Sequence, residues 1–424
     1  MSERIPVDLL VDNAAWVATL SGHSHRPKLG LALRDLGLVA GGAVACAGGR
    51  IAAVGPRADV RRQVTLLPGG RELDARGGVV TPGLIDPHTH LIYGGDRVEE
   101  FTRRLQGATY LELQAAGGGI NATVRATRAA ADEDLLADGR RALRRMLALG
   151  TTTVEAKTGY ELTVAGELRA LELLGRLGQE GPVKVIPTFM GAHAFPPEWA
   201  GDHSGYVELI VDFMLPAVAS QGLAVFCDVF CESGAFSIAE SRRVLEAAKR
   251  LGLKLKLHAE EFTALGGAQL AAELGATSAD HLLHVTPAGI RALAAAGVVA
   301  VLLPGTVLTL GIDRYAPARA MIEGGVAIAL ATDYNPGSSP VDSMPLVLGL
   351  ASRTMRLTPA ETLSAATINA AHAVGVAAEV GSLEAGKRAD LAVFEVDSPE
   401  ALAYHLGSDL TRAVVAGGSI VRET

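Results

Sequence analysis

The sequence predicts an α/β fold, a (β/α)8 barrel of the TIM type with a small discontinuous β-sandwich domain built from both chain ends. Two observations predict it. From about residue 79, eight short apolar segments alternate with Ala-, Leu- and Arg-rich stretches of helical period for roughly 300 residues, with no linker between them. On either side of that span the pattern changes to short β-type runs broken by glycine turns. Parallel strands require crossover helices, and eight such units can close a barrel whose strands are covered on both faces. A doubly wound open sheet is the competing arrangement. The 424 residues allow two or three domains, and the expected division is 1–78 plus 379–424 for the β module and 79–378 for the barrel.

In chain order, the N-terminal β segments are expected at 8–20, 38–46 and 50–54, with a polar return through 72–75. The eight barrel strands are expected at 79–90, 151–157, 183–193, 224–232, 253–260, 278–285, 298–304 and 326–333. Between them, 132–149, 163–178, 238–251 and 263–274 carry apolar residues at 3.6 spacing and read as helices. A further helix is expected over 358–374. The turn-rich stretch 381–387 then leads into strands at 390–396 and 411–421, which rejoin the N-terminal sheet.

Composition narrows the function classes. With 38 Lys+Arg against 46 Asp+Glu and a formal charge of -8, the chain lacks the cationic field of a general nucleic-acid binder. Cys46, Cys227 and Cys231 have no paired spacing, so neither a disulfide framework nor a thiolate metal site is indicated, and a reducing compartment fits. Asp8, Asp12 and Asn13 interrupt the first apolar run, which argues against a signal peptide. The longest apolar stretch, 297–311, is broken by Pro304 and falls short of the roughly 20 residues a membrane span needs. The expectation is a soluble cytoplasmic protein without nucleic-acid or membrane partners.

Barrel active sites lie at the C-terminal ends of the strands, so reactive residues should gather there. His88 and His90 close the first strand in Asp-Pro-His-Thr-His, and alternate strand residues share a face, so both imidazoles can meet one cation. His258 ends the fifth strand and Asp333 the eighth. Three nitrogens and one oxygen suit zinc or iron(II), with a position left for water. The fourth strand contains no lysine, which removes the candidate for a carbamylated bridge and favours one metal ion. His281 ends the sixth strand. It is assigned inward, and His284, of opposite parity, is read as packed against helices.

Around this centre, Glu261 can hydrogen-bond a substrate or be a solvated loop carboxylate. Tyr160 and His193 follow strands two and three as binding or packing residues. Arg97 follows Tyr-Gly-Gly-Asp, a loop able to curl back and offer a carboxylate a bidentate partner. The alternative is a surface pairing with Asp96 or Glu99. Asn335, Gly337 and Ser338 form a polar loop beside Asp333, able to serve an amide-like ligand.

These residues resemble the amidohydrolase superfamily, whose barrels carry a β-sandwich from both chain ends. The resemblance rests on Val-Thr-Pro-Gly-Leu-Ile-Asp-Pro-His-Thr-His at 80–90, the stretch through Arg97 to Glu100-Phe101, and the runs 116–120, 123–128, 156–160, 191–194, 257–262 and 331–338. Within the superfamily it points to the members that open an imidazolone ring in histidine breakdown. Thr158 and Glu161 depart from the Ser and Gly common around that tyrosine. The resemblance implies one divalent or trivalent ion, zinc or iron, on His88, His90, His258 and Asp333. It implies substrate contacts from Arg97, Tyr160, His193, Asn335, Gly337 and Ser338, and chemistry assisted by Asp333, His281 and Glu261. The implied reaction is hydrolysis of the ring amide of 4-imidazolone-5-propanoate, a small anionic substrate, to N-formimino-L-glutamate, by a homodimer. Two alternatives stay open: another cyclic-amide hydrolase or deaminase of the superfamily, and a catalytically silent barrel that binds a metal or metabolite.

Overall fold

The computed structural model describes residues 4–107 and 118–424; Ala116 and Gly117 of the run quoted above lie outside them. Two eight-stranded sheets organise the chain. The first contains β1 (Ile5–Ala18), β2 (Leu38–Ala47), β3 (Arg50–Pro56), β4 (Val64–Asp74) and β5 (Val79–Pro82). Its C-terminal members are β14 (Leu391–Phe394), β15 (Thr411–Ala416) and β16 (Ser419–Glu423). The strand order is β16-β15-β14-β5-β1-β2-β3, with β4 also paired to β1, so both chain ends contribute to one sheet.

The second sheet is parallel and runs in chain order: β6 (Leu84–Thr89), β7 (Thr151–Lys157), β8 (Lys184–Ala192), β9 (Phe226–Cys231), β10 (Lys254–Ala259), β11 (Ser278–His281), β12 (Val299–Leu302) and β13 (Ile328–Leu330). It closes on itself just beyond β13. Asp333 N–H donates to His88 O at 3.1 Å and His90 N–H to Tyr334 O at 2.8 Å. The Asp86 carboxylate adds a second stitch, accepting from Thr332 N–H at 3.1 Å and Thr332 Oγ1 at 2.5 Å. This is the expected barrel, and the open sheet is excluded.

Two expected elements are divided. The segment 79–90 is two strands, because Pro82 has no N–H for a ladder and Gly83 turns its own to Asp390 O at 3.0 Å. Its first half therefore pairs with β14 and β1, and only the second half with β7. The helix expected over 358–374 is Pro359–Ala365 followed by Ile368–Ala373. The break falls at Thr367, a β-branched residue outside helical φ/ψ whose Oγ1 donates back to Leu363 O at 2.6 Å.

The covering helices follow from sequence. Thr163 caps Val164–Glu180 by accepting Gly166 N–H, and that helix buries Leu171, Leu173, Leu174 and Leu177 on one face. Each such leucine contributes about 1.5–3 kcal/mol of burial. Ile238–Arg250 begins with a capping box between Ser237 and Glu240. No described helix is long and apolar enough to cross a membrane. Within the first sheet, the seam between β5 and β14 is tight at Gly78. A Cβ there would collide with the carbonyl oxygen of Phe394 and stand 2.9 Å from that of Ala75. Both are backbone atoms with nowhere to go, so Gly78→Ala should lower unfolding free energy by about 1–3 kcal/mol, read from the denaturant midpoint. An unchanged midpoint would mean that the seam yields.

Candidate active site

The histidines expected at the strand ends do converge. His88 lies 4.4 Å from His258 and 5.4 Å from both His90 and His281, ring centre to ring centre, and His258 lies 5.1 Å from His281. Asp333 completes the group, its Oδ1 3.4 Å from His88 Nε2 and 3.6 Å from His90 Nε2. Thr89, between the two β6 histidines, points elsewhere and donates to Glu155 O at 2.7 Å. All five side chains are buried.

Backbone strain helps to bring them together. His281 has φ 75 and Asp333 φ 58, left-handed values that cost a side-chain-bearing residue energy and cluster at functional sites. The turn at His281 also corrects the expectation that strand alternation alone selects the inward residue. Asp280 and His281 both reach the centre, because the strand ends in a left-handed step between them. His284 is half-buried. The Nε2 of His372 is paired with His23 O at 2.7 Å.

The donor set fits a metal ion. His88, His258 and His281 offer ligand atoms within 4.8 Å of one another, as do His88, His90 and Asp333. His88 Nδ1 pairs with Asp280 Oδ2 at 2.6 Å and His258 Nδ1 with Asp228 Oδ1 at 3.1 Å. Acceptors at Nδ1 place the proton there and leave the Nε2 lone pair free. Both Nε2 atoms are buried without a hydrogen-bond partner, an expensive state unless something binds them. Burial holds His88, His90 and His281 well below the ordinary imidazole range and pushes His193 down to about 3, so these rings are neutral, as ligands must be. Burial pushes the Asp333 carboxyl up to about 6, while a hydrogen bond from Thr306 at 2.7 Å pulls the other way.

The remaining candidates ring this centre. Glu261 is buried, its Oε1 3.7 Å from His281 Nδ1, and burial, reinforced by Asp333 and Glu232, holds its carboxyl well above the usual range. Glu232, at the end of β9, accepts the N–H groups of Phe262 and Thr263 and so fixes the loop that presents Glu261. His193 stacks on His90 at 4.9 Å and pairs through Nδ1 with Gly159 O at 3.0 Å, and Tyr160 lies 5.2 Å from it.

Arg97 is folded inward, its side chain 14% exposed. Its Nε donates to Thr123 Oγ1 at 3.0 Å, and its ion-pair partner among the described residues is Glu100 at 3.8 Å, not Asp96 or Glu99. Gly337 packs so closely that a Cβ would stand 2.7 Å from Arg97 Nη1. Asn335 is occupied within its own loop: Oδ1 accepts from Gly337 and Ser338 N–H, and Nδ2 donates to Asp333 O and pairs with Ser338 Oγ. Its amide shapes the loop beside Asp333.

Sequence reasoning missed the charged layer below the imidazoles. Lys157 Nζ lies 2.7 Å from Glu155 Oε1, 2.8 Å from Asp228 Oδ2 and 3.8 Å from Asp280 Oδ2, all fully buried. Burial opposes the ammonium, but Asp228, Glu155 and Asp280 more than offset it and hold Lys157 above its ordinary value. The available signal was ionisable residues two apart on buried strands, Glu155 with Lys157 and Lys256 with His258.

The chain matches the amidohydrolase family over residues 79–421 and the bacterial imidazolonepropionase-like composite domain over residues 42–63. It is 51% identical over 417 residues to the imidazolonepropionase of Symbiobacterium thermophilum, covering 98% of this chain and 97% of the relative. It is 50% identical over 414 residues to that of Geobacillus thermodenitrificans, 97% of each chain being covered. Among solved structures, an adenosine deaminase from Xanthomonas campestris with bound Zn shares the fold at a TM-score of 0.70 and 24% identity, over 99% of this chain and 93% of that one.

Proposed function

This chain belongs to the amidohydrolase family and, within it, to the imidazolonepropionases, and from that premise we propose which residues open the ring and how. The protein is a hydrolase of histidine catabolism. Its substrate in this reading is 4-imidazolone-5-propanoate, cleaved at the ring amide to N-formimino-L-glutamate. The observation that carries the reading is the pair of buried, unpartnered Nε2 atoms of His88 and His258, with His88 shared between one group with His90 and Asp333 and another with His258 and His281.

His88, His90, His258 and Asp333 would hold one ion, and zinc and iron both accept that set. When bound, the ion polarises the carbonyl and makes water acidic enough to attack at neutral pH. The chain's own groups do the rest. Asp333 takes a proton from the attacking water as the C–O bond forms, and returns it to the ring nitrogen as the C–N bond breaks. His281 orients the water and hydrogen-bonds the carbonyl oxygen, and Glu261 hydrogen-bonds a ring nitrogen. Arg97 pairs with the propanoate. Tyr160 and His193 close on the ring, and Asn335 holds Gly337 and Ser338 against it. A cytoplasmic setting is supported by Cys46, Cys227 and Cys231 all being free and buried.

The test is hydrolysis of freshly generated imidazolone propanoate by purified protein of known metal content. About one equivalent of zinc or iron is expected, with activity lost on chelation and restored by one equivalent of the ion. Absence of hydrolysis with metal bound, or deamination of a neutral nucleobase in its place, would overturn the substrate assignment.

A further inference from the structure

We propose that Lys157 is a positioning residue for the metal centre: its ammonium anchors Asp228 and Asp280, and these carboxylates set the orientation and tautomer of His258 and His88. The inference rests on the reading that those histidines hold the ion.

The geometry is a set of two-ended clamps. Asp228 gives Oδ2 to Lys157 at 2.8 Å and Oδ1 to both N–H groups of His258, the backbone at 3.2 Å and Nδ1 at 3.1 Å. Asp280 gives Oδ2 to His88 Nδ1 at 2.6 Å, with Lys157 3.8 Å away, and its Oδ1 accepts from Ser278 Oγ at 2.6 Å. An ammonium has three hydrogens and no acceptor, and here three carboxylates on three different strands surround it: Glu155 on β7, Asp228 on β9 and Asp280 on β11. A single ion pair would suffice to neutralise a buried lysine. The convergence of three instead ties together two carboxylates that each hold an imidazole of the cluster, Asp228 on His258 and Asp280 on His88.

The two clamps are not equivalent. Among the described residues Lys157 is the only Lys or Arg paired with Asp228, whereas Asp280 also has Lys256 at 3.8 Å. Lys256 is itself held by the carbonyls of Pro87 and Ala373, each at 3.3 Å. Loss of the Lys157 ammonium should therefore loosen His258 more than His88.

The experiment measures zinc affinity of the full-length protein by chelator competition, with the imidazole N–H resonances of histidine-labelled, zinc-loaded protein as a second readout. Lys157→Met keeps length and removes charge. A 10- to 100-fold weaker zinc affinity is expected, with the low-field Nδ1–H signal of His258 displaced more than that of His88. Unchanged zinc affinity in folded Lys157→Met overturns the proposal, as does loss of affinity with both N–H signals unmoved. If that variant does not accumulate folded, Asp228→Asn and Glu155→Gln decide. Glu155 touches Lys157 but no histidine, so Asp228→Asn should weaken zinc and Glu155→Gln should leave it within about threefold. Equal losses, or none in Asp228→Asn, overturn it. Wild-type protein that takes up no zinc or iron would instead overturn the metal reading itself.

Discussion

Replacing Asp333 with alanine, and reloading the protein with metal, is expected to lower kcat by at least about 10³-fold while KM changes little. The expectation follows from where the carboxylate is held. Its Oδ2 is fixed by Thr306 Oγ1 at 2.7 Å, which leaves Oδ1 facing the Nε2 atoms of His88 and His90. The left-handed turn at φ 58 puts that side chain over the histidines rather than along the strand. Burial raises this carboxyl above the ordinary aspartate range, against the pull of the Thr306 hydrogen bond, which favours proton uptake by the carboxylate. Asp333→Asn separates the two duties of the residue. It keeps size and the Thr306 contact but cannot take up a proton, so its kcat should fall as far as that of the alanine variant even at full metal content. Turnover within tenfold of the parent, with metal content measured in the same sample, would remove Asp333 from proton transfer and leave it a ligand alone.

The parts of this site that were legible in the sequence are those written in short local patterns. His88 and His90 could be read because a strand's two-residue period puts them on one face, and β7 fell on the expected 151–157 because that run opens with four β-branched residues and is bounded by Gly150 and Gly159. The parts that were not legible depend on partners far apart in the chain. Asp280 meets His88 across 192 residues and Asp228 meets His258 across 30. Neither carries a local signature beyond being a charge in an apolar strand. Alternation also fails where the backbone leaves β geometry, so no parity argument could place both Asp280 and His281 at the centre. The division of 79–90 between two sheets has the same origin. Pro82 and Gly83 mark a break in the sequence, but only the pairing of Gly83 with Asp390, from the far end of the chain, shows that the halves part company. Asn335 adds a role that residue type does not announce: within the folded loop its amide oxygen accepts from the Gly337 and Ser338 N–H groups.

Arg97→Ala should raise KM on the order of 30- to 1000-fold, equivalent to about 2 to 4 kcal/mol, and leave kcat within a few-fold. The guanidinium is prepared for an anion before one arrives. Thr123 fixes Nε, Glu100 stands 3.8 Å from Nη1, and the bare backbone at Gly337 lets the planar group lie against the loop that follows Asp333. At 3.8 Å the Glu100 pair is too long for a hydrogen bond, so the forked donors remain available to a carboxylate. Binding a propanoate there uses energy remote from the ring amide, and such uniform binding appears in KM rather than kcat. Arg97→Lys refines the test, because lysine keeps the charge but loses the planar fork. Its KM should lie between those of the parent and the alanine variant. A substrate analogue without the carboxylate should bind parent and Arg97→Ala equally, since nothing on it engages the guanidinium. Should Arg97→Ala still prefer the acid over that analogue by the same factor as the parent, the anion is held elsewhere. A fall in kcat alone would place Arg97 at the reacting bond, where its tether to Thr123 gives no reason to expect it.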